Sequence, residues 1–282
     1  MRVSLVQGVK SVLVWATIVL IVIWVLSPFA WAILTTFKSG TSVYNNQWIP
    51  WLQFDPSLAS WRSLFRLPVL KEALATSAAV SIAVATLAVL LAAPASYSVA
   101  RMRWSARWQA GLLFGFLGQR IMLPVVLITP YMLLSARLGL RDTMQGLVVI
   151  NVTFMLPLAV IVIHGAFASM PPELIEAASL DGANAFRTFV QIAIPLAGSA
   201  VVAAWVLCLA FTWNEWLYAD FMTFEKVETM PVALIAVVGG GSGANVPSAM
   251  ARALSMMVVP IAAALATQRF IASGLSMGAV KA

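Results

Sequence analysis

Charge is what this 282-residue chain has least of. Only 10% of its residues are Asp, Glu, Lys or Arg, against about 25% in soluble domains. Some 62% are hydrophobic, and the mean hydropathy is +0.95. So little charge cannot cover a water-facing surface, which excludes a soluble domain of any size. Cysteine is nearly absent too. The one residue, Cys208, sits in an apolar run, can form no intrachain disulfide or cysteine-based metal cluster, and reads as a small buried hydrophobe. Histidine also occurs once, as His164, and a lone imidazole without a partner group is read as satisfied or interfacial. No nucleophile with a base, no carboxylate pair and no metal cluster is visible, so a hydrolytic or transfer enzyme is not expected. Nor is there a GxxxxGK[ST] run to hold ATP. No cofactor or metal is therefore expected on this chain. The net charge is +7, but the basic residues are scattered between apolar runs without a basic–aromatic groove. That pattern points away from nucleic acid and toward anionic lipid headgroups.

What the chain does have is long apolar runs. Six can be placed at 12–35, 73–99, 109–134, 144–168, 197–221 and 248–270, each near the ~20 residues needed to cross hydrocarbon. Only helices satisfy their backbone in lipid at that length. The expected fold class is an all-α integral membrane protein with about six transmembrane helices. The first run is too long for a signal-peptide core and lacks a small-residue cleavage site, so it reads as a retained span. Prolines 28, 94, 124, 130, 157 and 260 are each expected to mark a kink or a break. Lys and Arg divide almost evenly between the two sets of loops. The best local signal is RMRWSAR, residues 101–107, which is arginine-rich without an acid and is therefore placed in the cytoplasm.

On that topology the segment 36–72 is extracytoplasmic. Trp48, Trp51 and Trp61 suit a membrane interface or a partner surface, and DPSLASWRSLF predicts a short surface helix capped by Asp55 and Ser57, with Leu58, Trp61 and Phe65 on one face. The segment 223–247, with Gly239, Gly240, Gly241 and Gly243, predicts an outer loop that is not helical throughout.

The fourth and fifth runs are separated by a polar interruption at 169–196 with its own helical grammar. Residues 173–195 read ELIEAASLDGANAFRTFVQIAIP. Pro171 and Pro172 suit a helix entry, Glu173 and Glu176 complement its exposed amides, and Gly182 can end it in a left-handed conformation. A second helix over 184–192 places Phe186, Phe189 or Val190, and Ile192 at helical spacing, with Pro195 barring simple continuation. Such a pair of short amphipathic helices is suited to docking on a partner.

Two further places hold polar groups among apolar ones, where a charge costs about 2.5–3.5 kcal/mol to insert. Arg120, in GQRIMLPVV, could face a water-filled cavity, pair with a partner subunit, or snorkel to the headgroups. The run Trp213, Asn214, Glu215 and Trp216 combines flat apolar faces with hydrogen-bonding groups, chemistry suited to a sugar. It equally suits an interfacial aromatic belt. Arg252 is assigned no role.

The spacing of Glu176, Ala177, Ala178, Gly182, Ile192 and Pro195 resembles the EAA loop in the membrane subunits of bacterial ABC importers. With Asp181 and Ala183 it takes the fuller form found in carbohydrate importers of the maltose and trehalose type, although Ile194 stands where leucine is usual. The run Gln119 to Pro124, the WNEW run (Trp216 in place of phenylalanine), the stretches at Trp61 and Ala75 to Ser77, and the tail QRFIASGLSMGAVKA are similar to the same permeases. The likeness covers the chain from about residue 50 onward.

The resemblance implies a single, non-catalytic, multi-pass permease of the bacterial inner (cytoplasmic) membrane. Its transmembrane core would lie roughly at 70–270, with a two-helix coupling loop at 169–196 and a tail at 271–282, both cytoplasmic. It implies a heterodimer with a second permease, a dimer of ATPase subunits that hold ATP and Mg, and an extracytoplasmic sugar-binding protein. Glu176 would pair with a basic residue of the ATPase, and Gly182 would permit the sharp turn. Gly274, Leu275, Ser276, Gly278 and Lys281 would give the tail a second ATPase contact. Arg120 and the WNEW run would line the path. The residues themselves leave open a reading of another class, a stand-alone ion-coupled secondary transporter working through Arg120 and Glu215.

Overall fold

A chain that sits in lipid must hide its backbone as well as its side chains, and this one does so with helices. The computed structural model describes residues 2–43, 45, 47–66, 68–102, 104–122, 124–239 and 245–279, with backbone alone at 2–9, 40–41, 237–239 and 269–279. The helices are α1 (Arg2–Thr36), α2 (Ala59–Arg66), α3 (Pro68–Arg101), α4 (Ala106–Ile121), α5 (Pro124–Arg137), α6 (Met144–Ser169) and α7 (Pro172–Leu180). They continue as α8 (Ala185–Thr188), a π turn (Phe189–Ala193), α9 (Ile194–Leu196), α10 (Gly198–Trp213), α11 (Leu217–Met222), α12 (Met230–Gly239) and α13 (Val246–Ala279). No strand occurs among the described residues.

Four helical stretches, Lys10–Thr36, Pro68–Arg101, Met144–Ser169 and Val246–Gln268, are each long and apolar enough to cross a membrane. Two bent pairs bring the number among the described residues to six if each pair is counted as one span. The third apolar run, expected as one span over 109–134, is divided between α4 and α5, which meet at 93°. A proline disfavours helical backbone in the residue before it, and Pro124 starts the new helix. By contrast the helices run through Pro28, Pro94, Pro130, Pro157 and Pro260. The fifth run, expected over 197–221, stops at Trp213 and resumes as α11, and α10 is itself bent by 76° from the helical stretch before it. The glycine-rich segment expected as a loop holds α12, with Gly239 as its last residue, while Gly240, Gly241 and Gly243 lie outside the described residues.

The chain packs as two units, Met1–Pro68 with Leu234–Ser255 and Val69–Ala233 with Met256–Ala282. In the second, α6 is the central helix, covered by α3, α4 and α10. Ala85, Ala88 and Ala92 of α3 and Ala159 and Val160 of α6 are fully buried. Small side chains let helix backbones approach closely where the solvent is as apolar as leucine and gives no hydrophobic drive. Ser96 adds a polar link, its hydroxyl lying 2.6 Å from the Ala92 carbonyl and 3.1 Å from that of Val160 on α6. In the first unit, α1 ends against the segment that follows it. Thr36 is fully buried and accepts a bond from the Trp61 indole at 3.0 Å, and the Ser57 amide donates to the Phe37 carbonyl at 2.8 Å.

The turn between α5 and α6 carries a device that hydropathy does not reveal. Asp142 adopts φ 53°, and its carboxylate accepts from the amides of Phe224, Glu225, Lys226 and Val227 at 3.0–3.3 Å. Its own amide donates to the Met222 carbonyl at 2.9 Å. Led by the Phe224 amide, these donors favour the charged form and hold the carboxyl below its ordinary value. A lowered carboxyl stabilises the fold above its unfolded value of about 3.9 and loses that contribution as pH falls through the lower folded value. Hydrogen exchange at the amides of 224–227, corrected for intrinsic rate, should therefore be unaffected by this group between about pH 5 and 8 and rise only below about pH 4. Asp142→Asn, which keeps the tolerated backbone conformation but loses the charge, should raise it at pH 7.

Two residues into α6, Gly146 has no room for a side chain. A Cβ there would lie 2.1 Å from the Leu140 carbonyl oxygen, whereas one on Gly165 would meet nothing within 4 Å. Gly146→Ala should lower stability by about 1–3 kcal/mol, as overpacking does. Gly165→Ala should change little, and thermal melts in detergent compare the two.

Candidate functional site

The 169–196 interruption folds as the sequence grammar requires up to its turn. Pro171 and Pro172 lead into α7, and Glu173 occupies its first turn. At the other end the Asp181 amide donates to the Ala177 carbonyl at 3.0 Å, Gly182 to Ser179 at 3.1 Å, and Ala183 to Ala178 at 2.9 Å. With Gly182 at φ 78°, this is a left-handed helix stop in which the glycine and the residue after it satisfy two of the last carbonyls. The Asn184 side chain then caps the next helix, accepting from the Arg187 amide at 2.8 Å.

The turn presents an apolar surface. Leu180 is 89% exposed and Phe186 74%, one on each side of Gly182, with Leu174 and Val190 exposed beyond them. Glu176, Ala177, Asp181 and Gly182 are exposed as well, Ala183 and Ile192 are half-buried, and Ala178 is buried as the inward anchor of α7.

Past the turn the structure departs from expectation. Helical backbone does not end before Pro195. It runs to Leu196, because residues 189–193 widen into a π turn. A proline ring in an α-helix clashes with the carbonyl four residues back; the wider turn carries the chain across it, and such insertions recur at functional sites. Phe189, the first residue of the π turn, packs against Tyr97 of α3 at 5.1 Å and Phe167 of α6 at 6.3 Å between ring centroids. Tyr97 and Phe167 meet edge-on at 5.4 Å, and Arg101, ending α3, donates to the carbonyl of Met170. The two-helix element is thereby joined to the ends of two membrane spans.

A second cluster forms where the broken spans meet. Asn214 donates to the Ala210 carbonyl at 2.8 Å and so closes the end of α10. Glu215 accepts from the amides of Tyr218 at 2.7 Å and Ala219 at 3.3 Å and so closes the start of α11. The Asn–Glu pair thus supplies the partners that a helix interrupted in lipid must find, a capping role that hydropathy and aromatic content gave no sign of. Trp213 is 1% exposed and donates to the Met256 carbonyl at 2.7 Å. Trp216 keeps its indole nitrogen buried without an acceptor among the described residues. The Tyr218 hydroxyl lies 3.5 Å from the carbonyl of Pro124, at the other break. Beside that break Gln119 donates to the Thr153 carbonyl at 2.7 Å, and the exposed Arg120 guanidinium lies over the Phe211 ring at 5.1 Å.

His164 is half-buried on α6, and among the described residues no three His, Cys, Asp or Glu side chains gather as a metal site would require. The chain is helical as far as Ala279, so Gly274, Leu275, Ser276 and Gly278 of the expected tail continue α13, with backbone alone described there. Lys281 lies outside the described residues.

Residues 92–276, which hold both breaks and the two-helix element, match the family described as the binding-protein-dependent transport system inner membrane component. The chain belongs to this family. Among the relatives of this inner membrane component is the trehalose transport system permease protein SugB of Mycobacterium tuberculosis, 32% identical over 98% of this chain and 100% of the relative. A probable ABC transporter permease protein, y4oR of Sinorhizobium fredii, is 31% identical over 91% of this chain and 90% of its own. The trehalose/maltose transport system permease protein MalG of Thermococcus litoralis is 27% identical over 98% of both. A chain of a bacterial ABC transporter involved in the import of the acidic polysaccharide alginate shares the fold, with a TM-score of 0.77 and 17% identity over 94% of this chain and 97% of that one.

The two faces of the element should respond differently to truncation. Phe189→Ala removes a half-buried ring from an aromatic cluster and should lower the melting temperature of this inner membrane component in detergent. Phe186→Ala, at an exposed position, should leave it within about 0.5 kcal/mol of wild type.

Proposed function

We propose that this protein is one permease subunit of a carbohydrate ABC importer, forming half of the translocation path and coupling it to a separate ATPase through the 169–196 element. The observation that carries the reading is the exposed turn around Gly182: Leu180 and Phe186 stand in solvent beside Glu176, on an element whose opposite face is packed onto α3 and α6. A soluble-side apolar surface of this kind is suited to a groove on a partner, as an amphipathic helix is. The family and the names of the trehalose and maltose relatives support transport of a sugar.

The chain itself performs no chemistry. ATP and Mg are held by a dimer of ATPase subunits on the cytoplasmic side, where the element and the tail meet them. A second permease completes the path as a heterodimer in the bacterial inner membrane. An extracytoplasmic sugar-binding protein delivers the cargo, in keeping with a structural neighbour whose complex contains an alginate pentasaccharide-bound periplasmic protein. When the ATPase dimer closes, α7 moves as a lever, and Phe189 and Arg101 pass the displacement to α3 and α6. The broken spans are the natural site of changing access, since discontinuous helices build substrate sites in other transporters. There Arg120, Asn214 and the indole nitrogen of Trp216, unpaired among the described residues, offer hydrogen bonds to a sugar. Glu215, on which an ion-coupled cycle would depend, is engaged in closing α11.

Gly182→Asp tests the docking assignment. Nothing lies within 4 Å of a Cβ at Gly182, and aspartate tolerates left-handed backbone better than most residues, so membrane insertion should persist. Sugar uptake should be lost, and the ATPase should no longer copurify in mild detergent. Retained uptake with the ATPase still bound would overturn the assignment.

A further inference from the structure

Residues 47–54 form a small closed loop whose tip is apolar. The Gln53 side chain accepts from the amides of Trp48 at 2.6 Å and Ile49 at 3.0 Å, the Gln53 amide donates to the Ile49 carbonyl at 3.0 Å, and the Trp51 amide donates to Phe54 at 2.9 Å. Phe54 is buried and lies 5.6 Å from the Lys38 ammonium. With the base closed in this way, Trp51 and Leu52 are thrust outward, each 81% exposed. Trp51 also holds φ 63°, a conformation rarely taken by a bulky residue. A loop that adopts a disfavoured backbone in order to present two large apolar side chains has a partner for them.

The position of the loop identifies that partner. The segment directly after it is fastened to the end of α1 by the Ser57–Phe37 and Trp61–Thr36 bonds, and Phe54 of the loop itself sits against Lys38. The apolar stretch of α1 is 27 residues long, about 40 Å at 1.5 Å per residue, against roughly 40–45 Å for a bilayer with its headgroups. Thr36 therefore lies at headgroup depth, and so does the loop fastened to it.

Helix α2 extends the same chemistry. The sequence pattern places Leu58, Trp61 and Phe65 on one face of a surface helix; the helix buries Ser60 and Leu64, and Phe65, with Leu58 just before the helix, is exposed beside Arg62 and Arg66. Apolar side chains flanked by exposed arginines match an interfacial helix on anionic lipid, and tryptophan is enriched at that depth.

We propose that the 47–54 loop and the outward face of α2 form a membrane-interface anchor, with Trp51 and Leu52 inserted at the boundary of headgroups and acyl chains and Arg62 and Arg66 on anionic headgroups. The proposal rests on α1 spanning the bilayer and not on the docking role of Gly182, so the two fail independently.

The single buried cysteine makes the test direct. Leu52→Cys in a Cys208→Ala background carries a nitroxide, and the full chain with its copurifying subunits is placed in phosphatidylethanolamine–phosphatidylglycerol nanodiscs. The label should collide with oxygen several-fold more than with a water-soluble nickel chelate. Adding Trp51→Gly, which suits the backbone and removes only the side chain, should reverse that ratio. Arg62→Gln with Arg66→Gln should make the label shallower only when phosphatidylglycerol is present. A label open to nickel in the parent would mean a loop in water, and one shielded from both reagents would mean a protein partner. Either result overturns the anchor.

Discussion

The interruptions of this chain's helices answer to the requirement that a backbone in lipid find its hydrogen bonds within the protein. An unbroken helix meets the requirement almost everywhere, and α1, α3, α6 and α13 run unbroken over their apolar length, each lacking only the ladder donor of one interior proline. A break does not, and at several places particular groups supply what it lacks. Asn214 and Glu215 close the gap between α10 and α11. The π turn carries the chain past Pro195 without ending the helix. Asp142 gathers four amides of the segment after α11. Polar residues are few, and they are spent where the helical ladder is interrupted.

The two-helix element shows the same economy from its other side. Its inner face is joined to the membrane spans by an aromatic cluster and one arginine-to-carbonyl bond, while its outer face leaves Leu180 and Phe186 in solvent. A left-handed glycine between two short helices sets the angle between them and needs no packing around it. The element is consequently held firmly at its root and bare at its tip.

Much of this was legible along the chain. Low charge and run length showed the membrane class and the approximate spans, and the spacing from Glu173 to Gly182 showed α7 and its stop, because helix termini are governed by local backbone chemistry. The inner contacts of the element were not legible. Phe189 meets Tyr97 and Phe167 across long separations, and nothing in an apolar run says which of its aromatic residues will face one another. The breaks were half legible. Prolines marked candidates, but the structure interrupts the helix at Pro124 and lets five other prolines pass, since neighbouring helices decide which bends are filled.

The sequence by itself determined that this protein lives in a membrane and that it carries a two-helix interruption with a glycine turn. These follow from composition and from interactions within a few residues. Only the tertiary structure decided that the Asn–Glu pair of the WNEW run serves as a pair of helix caps, that Asp142 clasps a distant strand of backbone, and that α2 turns Leu64 inward and Phe65 outward. Where the helix breaks and which amides Asp142 meets depend on how the helices have packed, and the side that α2 buries depends on what covers it, so none is a property of one stretch alone.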